Sequence, residues 1–208
     1  MKTRGKLSRE RIVQLALSLL DSAGTEGFSM RKLAAQLEVD PMAIYYHFAN
    51  KSDLLHAVMQ SMMEKCEVPE PSGNWRTDIR NLCQGLRRMA KKHPGAFCIY
   101  ETYDQWLPAE HRLHEAFHST LLQAGFSRKS AVRAVRVLLI YAEAFAVDEI
   151  SGWLDPADQA ELAESLQSGP YPTLSSLIKE IGTVDADSEF EFGLDVLISG
   201  LESEIRET

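Results

Sequence analysis

Three histidines come first, because their spacing is the one most able to hold a metal. His111, His114 and His118 fall on a single helical face at about 100° per residue. Three imidazoles on one face suit zinc or another transition ion, with Glu115 or His93 as a fourth ligand. The plainer reading is the polar flank of an exposed helix. It is the one adopted, so no cofactor and no metal are expected, and a metal-responsive protein stays as the alternative. No phosphate loop, nucleophile elbow, HExxH motif or Cys–His pairing accompanies the histidines, so a metal-dependent enzyme is a weaker reading still. Cys66, Cys83 and Cys98 have neither paired nor metal-ligand spacing, and so sparse and odd a set fits a reduced, cytoplasmic setting.

A second set of residues suits contact with nucleic acid. Between Ser29 and Leu55 the chain reads as two short helices around a tight turn, then the start of another helix. Leu33, Ala34 and Leu37 give the first an apolar face. Glu38-Val39-Asp40 makes the turn, with Asp40 as N-cap and Pro41 at the first helical position, where its missing N–H costs nothing. Ile44, Tyr45 and Phe48 mark the second helix. This is a helix-turn-helix, whose second helix enters the major groove. Pro41, Met42, Ala43, Tyr45, Tyr46 and His47 then lie on or beside the recognition helix, with Ile44 and Phe48 as core. Met42 and Ala43 offer only apolar contact, for instance to a thymine methyl. Ser29 opens the supporting helix and offers phosphate its hydroxyl or backbone N–H.

Met30-Arg31-Lys32-Leu33-Ala34, Ile44-Tyr45-Tyr46-His47-Phe48 and Asn50-Lys51-Ser52-Asp53-Leu54-Leu55 resemble the TetR family of bacterial repressors, and the match runs back through Ala23-Gly24-Thr25-Glu26-Gly27-Phe28. Phe190-Glu191-Phe192-Gly193-Leu194-Asp195 and Gly200-Leu201-Glu202 resemble the last helix of its tetracycline-repressor-like subgroup. The resemblance implies phosphate contacts from Tyr45 and Lys51, His47 beside the backbone, and Arg31 within reach of a base. It also implies a small-molecule effector. Where that subgroup holds a magnesium-linked drug, a histidine follows a Gly-Ala pair; aligned on Gly95-Ala96, that position is Ile99 here, while Thr102 and Glu149 fall at related positions. The missing histidine argues against magnesium–tetracycline.

The charge is divided to match. The chain of 208 residues carries a net −8, yet residues 1–56 hold eight Lys/Arg against six Asp/Glu, a net of +2, and Lys2, Arg4, Lys6, Arg9 and Arg11 crowd the first eleven positions. A basic head on an acidic body fits a protein that meets DNA with one end. The expected domains are 1–56 for DNA and 57–208 for effector binding and dimerisation, with Glu67–Asn74 as a breaker-rich boundary. Basic residues ahead of Ile12–Leu20 imitate a secretory leader. Gln14 and Ser18, four apart on one side, argue for an amphipathic helix instead, and no other apolar run nears a membrane span.

The whole chain reads as all-α. Helices are expected over about 9–22, 52–66, 75–92, 97–103, 108–124, 127–150, 156–167, 173–181 and 187–206, besides the two of the motif. The helix over 127–150 is apolar almost all round, as is the last one, where Gly193 and Gly200 would admit another helix closely. Both imply a homodimer, consistent with palindromic reading of a double-stranded operator. Glu143, alone in the apolar central helix, must be paired, hydrogen-bonded or neutral. The effector is expected among Met59, Met63, Phe97, Tyr100, Thr102, Trp106, Phe117, His118, Tyr141 and Phe145, since aromatic and thioether side chains suit an adaptable apolar cavity.

Overall fold

The computed structural model describes residues 7–100, 107–152, 155–166, 170–181, 183 and 185–206. Lys2, Arg4, Lys6, Thr102 and Trp106 lie outside them. Every regular element among the described residues is a helix: α1 (Arg9–Gly27), α2 (Met30–Leu37), α3 (Pro41–Tyr45), α4 (Lys51–Met63), α5 (Trp75–Lys92), α6 (Pro94–Tyr100), α7 (Glu110–Gln123), α8 (Arg128–Ser151), α9 (Pro156–Leu166), α10 (Pro172–Ser176), α11 (Ile178–Ile181) and α12 (Ala186–Arg206). None is long and apolar enough to cross a membrane. Two compact units result, Met1–Val68 with Arg88–Glu115, and Pro69–Arg87 with Ala116–Thr208.

In the first unit, α1 packs against α2, α4 and α6. It buries Ile12, Val13, Ala16, Leu17, Leu19 and Leu20 and turns Gln14 and Ser18 outward, as an amphipathic helix must. Gln14 bonds across to α4, donating to Ser61 at 3.2 Å. Helical geometry breaks at Gly24, where φ is 64° and ψ −177°, and the chain turns once more before Phe28. Sequence reading takes Pro94-Gly95 as a stop. It is also a start, because Pro94 opens α6 as proline opens helices generally. Gly95 is required there, since a Cβ would sit 2.0 Å from the carbonyl oxygen of Leu20. Asp21 accepts from or ion-pairs with Nδ1 of His93 at 2.8 Å, fastening the same joint.

In the second unit, α8 and α12 pack together and α9, α10 and α11 pack among themselves. α8 begins at Ser127, whose hydroxyl accepts from the N–H of Ser130 at 3.1 Å, and ends at Gly152 in the left-handed conformation. It buries Ala131, Ala134, Val135, Leu138, Leu139, Ala142 and Ala146. Val132, Val137 and Ile140 stay exposed. Along α5, Arg76 pairs with Glu202 and Arg80 with both Glu191 and Asp195 of α12. Gln84 donates to Glu191 at 2.6 Å in the same row.

Candidate nucleic-acid interface and ligand-facing residues

Local caps build the helix-turn-helix. Ser29 Oγ accepts from the N–H of Lys32 at 3.2 Å and so starts α2. Glu38 ends it in the left-handed conformation, φ 56°, with its N–H donating to the carbonyls of Ala34 and Ala35. Asp40 Oδ1 accepts from the N–H of Met42 at 2.8 Å, and Pro41 follows as the first residue of α3. Asn50 Oδ1 then caps α4 through the N–H of Asp53 at 2.9 Å. Each device spans two or three residues, which is why the motif can be read from sequence.

Packing decides which side of α3 looks outward. Ile44 and Phe48 are buried, as are Met30, Leu33, Ala34 and Leu37 of α2. Tyr46 is 89% exposed, Met42 63% and Tyr45 41%. Pro41, Ala43 and His47 are half-buried, as is Ser29, while Arg31 and Lys51 are exposed. Lys51 Nζ lies 5.4 Å from the centre of the Phe28 ring, a cation–π contact that holds the ammonium near the start of α4. One residue outside the expected set belongs with them. Arg9 donates to the carbonyl of His47 at 2.6 Å and lies 4.1 Å over the Phe48 ring, tying α1 to the end of α3. Its place in the basic cluster was the only sequence signal.

The candidate effector residues fall in two groups. In the first unit Met59, Met63 and Phe97 are fully buried and Tyr100 is half-buried, its ring 5.5 Å from that of Phe97. In the second unit Phe117 is fully buried, while His118, Tyr141 and Phe145 are half-buried. Tyr141 donates its hydroxyl to the carbonyl of Phe190 at 2.9 Å, and burial pushes its pKa up to about 12. Its ring stacks on Phe190 at 5.6 Å, and Phe145 meets the same ring edge-on at 5.1 Å.

A second carboxylate of this region, besides Glu143, is drawn into an ion pair with an arginine. Glu143 is half-buried. Glu149 is half-buried as well, and it is held by Nε and Nη2 of Arg87, both at 2.6 Å. The two side chains are 9% and 12% exposed, so each charge is desolvated and bidentate pairing is what makes that tolerable. Asp187 adds a second contact to Arg87 at 2.8 Å, and the guanidinium lies 4.8 Å over the Phe190 ring. Arg87 and Glu149 stand 62 residues apart in the chain, and that distance leaves no local signal.

His111 is exposed and His114 and His118 are half-buried. Among the described residues no three His, Cys, Asp or Glu side chains form a metal-holding group. Burial pushes the Cys66 thiol up to about 11 and that of Cys83 to about 12, so neither is a thiolate at neutral pH.

Residues 12–58 match the family described as bacterial regulatory proteins, tetR family. Residues 68–205 match the tetracyclin repressor-like C-terminal domain. The tetracycline repressor protein class C of Escherichia coli is 29% identical over 204 residues, covering 95% of this chain and 91% of its own. Apo ActR of Streptomyces coelicolor superposes with a TM-score of 0.84 at 30% identity over 97% of each chain. ActR in complex with actinorhodin gives 0.85 at 29% identity, covering 97% of this chain and 99% of that one.

Proposed function

The chain belongs to the TetR family of bacterial regulatory proteins and is a ligand-responsive transcriptional regulator; we propose that it represses by binding a palindromic operator as a homodimer and lets go when a small organic molecule binds. The observation that carries the DNA half is the outward face of α3. Its buried side anchors the helix through Ile44 and Phe48, leaving Met42, Tyr45 and Tyr46 to the groove. Tyr45 and Lys51 take phosphates, His47 and Ser29 lie by the backbone, and Arg31 and Met42 meet base edges, with Pro41, Ala43 and Tyr46 completing the surface.

Two-fold symmetry is supported by α8 and α12. Val132, Val137, Ile140, Phe192 and Val196 leave a band of apolar surface on one chain. A groove of about 270 Å³ is lined by Val137, Val196, Leu197 and Gly200, together with Ser130, Arg133 and Glu204. A second copy offering the same band would cover it, as an isologous interface requires.

The effector is proposed to be organic and metal-free. ActR, the relative solved with actinorhodin, binds an organic molecule. Here Ile99 stands where the magnesium-binding subgroup has histidine, and Glu149 is committed to Arg87. Half-buried Phe145, which meets the Phe190 ring edge-on, has surface to offer such a ligand. It acts only through different affinities for the DNA-competent and DNA-incompetent states. A cytoplasmic, non-catalytic role follows from this reading.

The test is the double change Lys51→Ala/Tyr45→Phe. Operator affinity should fall for every sequence. The salt dependence should flatten by about 0.9 in log–log slope for each phosphate the variant no longer neutralises. Unchanged affinity and slope would remove the assignment.

A further inference from the structure

α3 is too short to stand by itself. Its five residues make about one and a half turns, and helices shorter than about twelve residues are marginal in water without packing. Its direction is therefore set by what holds its two ends and its buried side. Asp40 and Pro41 hold the start, and Ile44 and Phe48 hold the buried side. The far end is held from α1.

Arg9 is the first residue of α1, directly after the N-cap Ser8, whose Oγ accepts from the N–H of Arg11 at 3.2 Å. Its guanidinium meets three neighbours at once. Nη1 donates to the carbonyl of His47 at 2.6 Å, Nη2 lies 3.7 Å from Oδ1 of Asp53, and the group sits 4.1 Å over the Phe48 ring. Asp53 in turn closes the link from α3 to α4. Its Oδ2 accepts from the N–H of Ala49 at 3.0 Å, and its own N–H donates to Asn50 Oδ1 at 2.9 Å. Both terminal nitrogens and one face of the guanidinium are thus committed inside the fold. A cation so committed is suited to holding protein backbone rather than to taking a phosphate. A forked and stacked site of this kind needs the planar arginine head, which the point charge of lysine does not reproduce.

We propose that Arg9 is a positioning residue for operator recognition: by fixing His47 and Phe48 against α1 and α4, it sets the angle at which Met42, Tyr45 and Tyr46 enter the groove. Base edges are read at contact distance, whereas attraction to the phosphate backbone is long-ranged and indifferent to sequence. Loss of Arg9 therefore costs discrimination between sequences more than it costs general attraction to DNA. The inference rests on the reading of α3 as the recognition helix.

The experiment uses the full-length protein with Arg9→Lys and Arg9→Gln. An operator is selected from a random duplex library, and binding to it and to a scrambled duplex is measured over a range of salt. Both variants should prefer the operator about tenfold less than the wild type does, with affinity and salt slope on the scrambled duplex unchanged. Their Tm should fall by no more than about 4 °C, since Arg9 is half exposed and its ion pair is weak. Full preference in Arg9→Lys would mean that charge alone suffices, and overturns the positioning role. So does a slope shallower by about 0.9 in Arg9→Gln, the mark of a lost phosphate contact. Equal loss of affinity on both duplexes, the mark of a general loss of structure, overturns it as well. A wild type with no preference for the operator overturns the α3 reading itself, and the role of Arg9 with it.

Discussion

The exposed face of α3 and the exposed faces of α8 and α12 both display large apolar side chains, and they differ in what surrounds those atoms. On α3 the apolar surface belongs to Tyr45, Tyr46 and Met42, with Arg31 and Lys51 exposed on the neighbouring helices. Phenol hydroxyls and cations suit a wet, charged partner, where hydrogen bonds to phosphate position the protein. On α8 and α12 it belongs to Val132, Val137, Ile140, Val196 and Phe192, none of which has a polar tip. Such a band suits a dry partner packed like a core. Exposure alone therefore does not distinguish a DNA surface from a protein surface; the polar atoms within it do.

The largest effect should come from placing a charge in each face. Ile140→Glu keeps the chain helical, because Ile140 is 60% exposed in a single copy. In a dimer it would bury an unpaired carboxylate, at about 3 kcal/mol or more, so dimer affinity measured by sedimentation should fall by roughly a hundredfold. Tyr46→Glu should do the converse: dimers intact, DNA affinity abolished by like-charge repulsion. If either substitution impaired the other property more than its own, the two faces would not be separate surfaces.

A smaller effect sharpens the dry face. Gly193 and Gly200 are seven apart on α12, and the sequence suggests that both admit another helix. Gly193 admits Tyr141 of α8 in its own chain, where a Cβ would lie 2.1 Å from the hydroxyl. At Gly200 a Cβ meets nothing within 4 Å. Gly193→Ala should cost about 1–3 kcal/mol of stability through overpacking, read as a lowered Tm. Gly200→Ala should leave the single chain unharmed or raise its stability by up to about 1 kcal/mol through helix propensity. Equal effects would mean the two glycines have the same surroundings.

What could be read in advance was local or periodic. The helix-turn-helix was legible because Ser29 and Asp40-Pro41 each open a helix within three residues. α5 runs from Trp75 to Lys92 as its pattern and flanking breakers imply, and α8 and α12 fall within one residue at each end. Less legible was everything set by distant packing. Periodicity singles out Glu143 for its apolar neighbours, but nothing local announces that Glu149 meets Arg87 from another helix. The tail expected as one helix over 173–181 is two, α10 and α11, broken at Leu177, where the chain leaves helical geometry without a proline or glycine to announce it. Effector residues were hardest, because a buried aromatic such as Phe97 or Phe117 looks the same in sequence whether it fills a core or faces a ligand.

The central claim is that two copies of this chain read one symmetric operator. It is tested most directly by the mass of the complex with a self-complementary duplex selected from a random library, measured by sedimentation or native mass spectrometry at physiological salt. Two chains per duplex, with affinity falling steeply when one half-site is scrambled, is the predicted result. One chain per duplex at full specific affinity, indifferent to the second half-site, would contradict it.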